Sequence, residues 1–162
     1  GPFDVGALNM QTDDEMISGA ESTNFTVLRV KRDLLRRSSI GGLFTNRSVS
    51  LVGDGMNQVY GADATFSFYD NVSFLAYYAE SRTRGLTDLD ASYRGQISYS
   101  PDLWGVNVDH LVVGNDFNPE MGFVRRKDFR QTFAKQQQRD GSDDDHFHRS
   151  GSKIGEYDCV HD

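Results

Sequence analysis

Long apolar runs are absent from the 162 residues. Nowhere do about 18 apolar residues follow one another, which excludes a transmembrane helix. A mean hydropathy of -0.57 does not exclude a transmembrane β-barrel. Such strands alternate lipid-facing and lumen-facing side chains and average to the hydropathy of a soluble chain. Cysteine is nearly missing: Cys159 stands alone, so no internal disulfide can form. Basic residues are outnumbered, 17 Lys and Arg against 24 Asp and Glu, for a net charge of -7. No basic stripe with interleaved aromatics appears, which argues against a nucleic-acid partner. The opening Gly1-Pro2-Phe3-Asp4 has no start methionine, and no charged start leads into an apolar signal core. A mature chain or an internal fragment is therefore expected. Catalytic signatures are missing as well: no Gly-x-Ser-x-Gly elbow, no phosphate-binding glycine loop, no paired Cys-x-x-Cys. No carboxylate pair stands out for glycoside hydrolysis. Neither enzyme chemistry nor a cofactor is expected.

What the sequence does contain is alternation. Residues 89–99 set Leu89, Ala91, Tyr93, Gly95, Ile97 and Tyr99 on one face and Asp90, Ser92, Arg94, Gln96 and Ser98 on the other. That period of two belongs to a strand with one apolar and one polar face. The run is longer than the soluble norm of about five or six residues and matches the roughly 9–11 that cross a bilayer at a tilt. Residues 58–69 repeat the pattern, with Tyr60, Ala62, Ala64, Phe66 and Phe68 opposite Gly61, Asp63, Thr65 and Ser67. Asp70-Asn71 predicts a tight turn, both residue types tolerating left-handed backbone. Residues 72–81 return with Phe74, Tyr77 and Tyr78, and residues 104–113 carry Trp104, Val106, Val108 and Val112 on one side. Residues 24–32 and 39–46 are weaker β segments, and 3–9 and 123–133 are the outer members.

The connections alternate in length. Residues 10–23, 47–57, 82–88 and 114–122 are longer, whereas 33–38, 70–71 and 100–103 are short. In a meander alternate connections fall at opposite ends of the sheet, so short turns gather at one end and long loops at the other, as in outer-membrane barrels. Aromatics near strand ends (Tyr60, Phe68, Tyr69, Tyr77, Tyr78, Tyr99 and Trp104) suit two girdles at headgroup depth. The expected fold is all-β: an antiparallel up-and-down meander of about eight strands over residues 1–133, part of a transmembrane β-barrel. Tyr60, Ala62, Ala64, Phe66, Phe68, Tyr93, Ile97 and Tyr99 are the lipid-facing candidates. Asp63, Thr65, Ser92, Arg94, Gln96 and Asn107 are the lumen-facing ones. Arg29, Lys31 and Arg32 are expected inward too, paired with acidic neighbours across strands.

Other groups carry weaker expectations. His110 stands alone in a strand and is placed near the interface or against a neighbour. Asp13-Asp14-Glu15 and residues 116–120 offer oxygen ligands but lack Ca²⁺-loop spacing, so solvated loop charge is expected. Residues 134–162 lose alternation and read as a disordered tail, or as non-native sequence from a shifted frame. His146, His148, Cys159, His161 and Asp143-Asp144-Asp145 fall in that tail, and no metal site is expected of them. The charges Arg125, Arg126, Lys127, Asp128 and Arg130 in the last expected strand, a start inside a strand-like run at Phe3 and the loss of β character in the tail together predict that the last strand does not close against the first.

Several motifs carry a family resemblance. They are Leu8-Asn9-Met10-Gln11-Thr12, Thr23-Asn24-Phe25 followed by Arg29-Val30-Lys31-Arg32, Arg37-Ser38-Ser39-Ile40-Gly41, Phe44-Thr45-Asn46-Arg47, and Phe117-Asn118-Pro119-Glu120-Met121-Gly122-Phe123. Their order and spacing over residues 1–133 resemble the uncharacterised bacterial outer-membrane β-barrel family whose members usually carry an N-terminal carbohydrate-binding domain of the family-nine type. The resemblance implies an internal piece of a larger barrel in the bacterial outer membrane. It further implies membrane lipid as a partner and a non-enzymatic surface or uptake role with a link to carbohydrate as the partner to test; the carbohydrate-binding domain is not among these residues, so the sugar affinity it confers is not carried over. That family has no agreed catalytic residues, so none is carried over. A soluble lipocalin-like ligand-binding barrel, and a membrane-associated hydrolase with its chemistry outside these residues, are the alternatives. Long strands and sorted loops favour the barrel over the first, and the missing catalytic constellation disfavours the second.

Overall fold

A computed structural model of the chain describes residues 3–17, 19–52, 55–86, 89–102, 104–138 and 154–157. Eight long strands follow one another: β1 (Phe3–Thr12), β2 (Thr23–Leu35), β3 (Ser38–Arg47), β4 (Asn57–Phe68), β5 (Val72–Thr83), β6 (Ala91–Tyr99), β7 (Trp104–Val113) and β8 (Phe129–Gln138). A four-residue β9 (Ile154–Tyr157) pairs with β8. Every strand is antiparallel to its neighbour, in the order of the sequence. The result is an open up-and-down sheet: among the described residues no ladder joins β1 to β8 or β9, in agreement with the expected failure to close. Among those residues no helix forms.

The strands form where β-branched and aromatic residues alternate with polar ones, a pattern that fits a pleated surface and no helical period. Residues 104–113 are a strand with the expected limits. Other limits move. Leu89 is not in β6; its φ of 51° breaks the ladder, and the strand starts at Ala91. At the β4–β5 hairpin the left-handed residue is Tyr69, with φ 55°, so the turn runs 69–71 rather than Asp70-Asn71 alone. The last long strand lies later than 123–133, at Phe129–Gln138, pairing Ala134 with Val108 and Gln136 with Val106. The tail expected from residue 134 onward is thus β8 up to Gln138. The delay has a physical cause: residues 114–128, the most charged part of the expected strand included, serve as a long loop.

The ends sort as the connection lengths predict. At the turn end, Ser100 N donates to Asn71 O at 2.8 Å and Arg37 Nη1 to Asp70 Oδ1 at 3.0 Å. At the loop end, Ser48 N donates to Asn24 O at 3.0 Å and Asn118 N to Ser81 Oγ at 2.8 Å. Burial is concentrated at the loop end. The buried hydrophobics among the described residues are Val59, Val113 and Phe117, accompanied by Thr23, Thr45, Asn57, Ser81, Thr83 and Ser92, with Ser38 the one buried polar residue at the turn end. Most of both sheet faces stays uncovered, as the exposures of Val5 (73%) and Ile97 (52%) on one side and of Leu8 (60%) and Met10 (52%) on the other show.

Candidate functional site

Register sorts the side chains onto two faces, because a pleated strand points successive residues to opposite sides and paired residues to the same side. On the first face Ala62 pairs with Tyr78, Tyr78 with Tyr93, Phe66 with Phe74, Phe74 with Ile97, and Val72 with Tyr99. All eight residues expected to face lipid therefore share one side of the sheet. Leu28 and Val30 of β2, Ile40 and Phe44 of β3, and Val106 and Val108 of β7 extend the same apolar surface. Rings lie at two levels. Near the turn end, Phe66 stacks on Phe68 at 6.0 Å, and Tyr99 meets Trp104 edge-on at 5.2 Å. Near the loop end, Phe44 tilts against Tyr60 at 5.2 Å. Ala64 and Ala76, paired with each other, lie between. Of the Tyr77-Tyr78 pair only Tyr78 belongs to this face; Tyr77 turns to the other, its hydroxyl 3.2 Å from Ser92 Oγ.

Beyond the loop-end rings the first face becomes polar through side-chain bonds within and between strands. Asn9 Nδ2 donates to Thr26 Oγ1 at 2.8 Å and Asn24 Nδ2 to Gln11 Oε1 at 3.0 Å. Gln58 Nε2 donates to Asn46 Oδ1 at 3.2 Å, and Gln58 Oε1 accepts from Tyr60 Oη at 3.0 Å. Arg82 Nε donates to Glu80 Oε1 at 3.0 Å. This row of amides and charges bounds the apolar band on β1–β5. The band also has a lateral limit. On β8 the same face carries Arg130, Thr132 and Gln136 beside Val112, His110 and Val106. His110 faces a neighbour as expected, its Nδ1 2.8 Å from Thr132 Oγ1.

The second face collects all six lumen-facing candidates. Arg29 of β2 reaches across β3 to Asp63 of β4 in a salt bridge. Gly41 of β3 permits this: a Cβ there would stand 2.6 Å from Arg29 Nη2 and 3.0 Å from Asp63 Oδ1. Arg94 of β6 grips Asp109 of β7, its Nε 3.0 Å from both carboxylate oxygens. Ser92 Oγ donates to Val112 O at 3.1 Å, and Asn107 Nδ2 to Ser98 Oγ at 2.7 Å. Thr65 pairs with Ser39 and Leu75, and Gln96 with Leu75 and Asp109. Lys31 bonds Asp33 at 3.7 Å on this face. Arg32 does not join them. Alternation forces it to the apolar face, where its Cζ stands 5.0 Å over the Phe3 ring. Leu43, Leu75 and Leu111 interleave among the polar groups. At the turn end a cleft of about 390 Å³ opens between β6, β7 and β8, lined by Gln96, Ser98, Asn107, Asp109, Phe133 and Lys135.

The most buried polar cluster was missed by sequence reasoning. The loop following β7 folds onto the second face at the loop end. Asn57, 0% exposed, donates through Nδ2 to Asn118 O at 2.7 Å and to Thr83 Oγ1 at 2.7 Å. Its Oδ1 accepts from Glu120 N at 3.3 Å. The Glu120 side chain is only 2% exposed and lies 3.6 Å from Arg47 Nη1. Ser50 Oγ donates to it at 2.6 Å, and Leu51 N at 2.9 Å. Glu120 is thus no solvated loop charge but a latch between the long loops after β3 and β7. The contiguous Asn118-Pro119-Glu120 was the available signal; its partners in this cluster are 37 to 73 residues distant in sequence, and no local pattern marks them. Asp14 holds the other acidic loop together, Oδ1 accepting from Ser22 N.

Among the described residues no group of three or more His, Cys, Asp or Glu is placed to hold a metal. The tail residues His146, His148, Cys159, His161 and Asp143-Asp144-Asp145 lie outside the described residues. Comparison of this chain with family models, with curated proteins and with solved structures finds no match, so the functional reading rests on the geometry of the two faces.

Proposed function

We propose that this sheet is a segment of an outer-membrane β-barrel, with the first face of β1–β7 against lipid, the second lining the lumen, and a non-enzymatic surface or uptake role. The observation that carries it is the division of one sheet into an uncovered apolar band with rings at two levels and an ion-paired opposite face. In water such a band exposes far more contiguous apolar surface than a monomeric protein tolerates. Lipid removes that cost without a second protein layer. Tyr60 and Phe68 are eight residues apart on β4, about 26 Å along the strand; at a tilt near 40° that spans about 20 Å of depth. This suits an apolar band flanked by aromatic girdles. Two open edges cannot persist in lipid, since unpaired backbone groups cost several kcal/mol each there, so further strands complete the barrel. The sorted loops and the motif resemblance agree with this reading. The link to carbohydrate is supported by the cleft beside Phe133, where amides, hydroxyls, a carboxylate and an aromatic ring suit a hydroxyl-rich ligand.

Trp104 is the single tryptophan and sits on the apolar face near the turn end. In the full chain refolded with lipid vesicles its emission should shift to the blue and be quenched by brominated acyl chains. Unshifted, unquenched emission, with the chain left in the soluble fraction, refutes the membrane reading. A soluble ligand-binding barrel would give that result.

A further inference from the structure

The loop-end rim of the apolar face contains a cavity of about 650 Å³ that the proposed barrel does not require. Gln58, Arg82, Arg84 and Asp90 line it, between the tops of β4 and β5 and the loops beside them. Gln58 and Arg82 are register partners, so both project on the lipid-facing side. Immediately toward the band centre lies an apolar dent of about 430 Å³, lined by Leu28, Val30, Phe44, Tyr60, Ala62 and Tyr78. The two are joined by shared chemistry at their boundary. Arg82 Cζ stands 5.4 Å over the Tyr60 ring, and Arg82 also bonds Glu80, which lines the dent. From the membrane centre outward the order is therefore apolar floor, aromatic step, then guanidinium groups with carboxylates and an amide.

We infer that the cavity at Arg82 and Arg84, with the dent below it, is a binding site for one phosphorylated glycolipid, an inference that rests on the lipid-facing reading above. Each part of the site matches a part of that ligand. Guanidinium groups bind phosphate through paired, charge-assisted hydrogen bonds. The carboxylates of Glu80 and Asp90 and the Gln58 amide accept from sugar hydroxyls, which a phosphate alone does not offer. The dent seats an acyl chain against Ala62 and Val30, where no ring fills the space. The two arginines favour a net anionic phosphate headgroup over a zwitterionic one, and the Glu80, Asp90 and Gln58 acceptors favour a headgroup with the many hydroxyls of a sugar over one with few.

The test uses the full chain refolded in neutral detergent micelles, with lipid A, phosphatidylglycerol or phosphatidylcholine added singly and the retained lipid counted by native mass spectrometry. One lipid A should be retained with about tenfold preference over phosphatidylcholine, and phosphatidylglycerol should fall between. R82Q combined with R84Q should remove that preference, whereas R36Q at the turn end should keep it. An unchanged β-sheet circular dichroism signal in both variants separates loss of the site from loss of fold. A62F, which fills the dent, should reduce lipid A retention with both arginines intact. Equal retention of lipid A and phosphatidylcholine overturns the site while leaving the lipid face intact, provided vesicles still quench Trp104. Retention that survives R82Q with R84Q also overturns it. If no lipid is retained and Trp104 is unquenched, both readings fall.

Discussion

Ala64 lies midway between the two aromatic levels of β4, four residues from Tyr60 and four from Phe68. In the proposed barrel that places it near the bilayer midplane. An arginine there has no water within reach, and its long stem must snorkel about 10 Å in depth to reach the headgroups. Lipid-facing arginine at the midplane costs about 2–4 kcal/mol, falling to about 0–1 near the interface. Gln58 is six residues from Ala64 on the same face, about 20 Å along the strand and about 15 Å in depth at a tilt near 40°. Thr65 adjoins Ala64 but points to the opposite face, opposite Ser39 and Leu75. Ala64→Arg should therefore cost about 2–4 kcal/mol, Gln58→Arg about 0–1, and Thr65→Arg should be mild. Urea titration of the vesicle-folded chain, followed by Trp104 emission, measures all three. Equal losses for Ala64→Arg and Thr65→Arg would refute a lipid face on this side of the sheet. A loss at Gln58 as large as at Ala64 would refute the depth assignment.

The latch and two close backbone approaches give further tests. Glu120→Ala leaves the part-buried Arg47 guanidinium without its carboxylate and should cost about 1–3 kcal/mol; trypsin should then cut faster at the exposed Arg125, Arg126 and Lys127, and an unchanged rate would show that the latch does not hold the loop. Gly41→Ala should swing the flexible Arg29 guanidinium off Asp63 and cost about 1 kcal/mol through the part-exposed ion pair it loses, whereas Gly42→Ala, whose added Cβ would come no closer than 3.9 Å to Gly61 O, should stay within about 0.5 kcal/mol; matched urea midpoints for the two would exclude the steric account. At Gly114 a Cβ would stand 1.8 Å from Leu89 O, so Gly114→Ala should shift the backbone at residues 89–91 and lower the unfolding midpoint more than either β3 change, an order that the same titration checks.

Alternation alone determined the two faces. The period of two in residues 58–68 and 91–99 fixes which side chains are neighbours once the strands pair, because an antiparallel register carries odd and even positions together across the sheet. Connection lengths likewise determined which loops share an end. Strand limits were less legible where backbone geometry overrides pattern: nothing in the alternation of Leu89 with Ala91 reveals a left-handed Leu89, and the place of Arg32 followed only from strict parity with Lys31. What tertiary structure alone decided is the loop-end cluster. Asn57, Ser81 and Glu120 come from a strand, a neighbouring strand and a distant loop, and their burial depends on how residues 114–122 fold back over β4 and β5. Short-range periodicity reports the environment of a strand. It has no access to hydrogen bonds closed over more than sixty residues, and so a glutamate that looks like solvated loop charge in the sequence becomes the buried anchor of two loops in the fold.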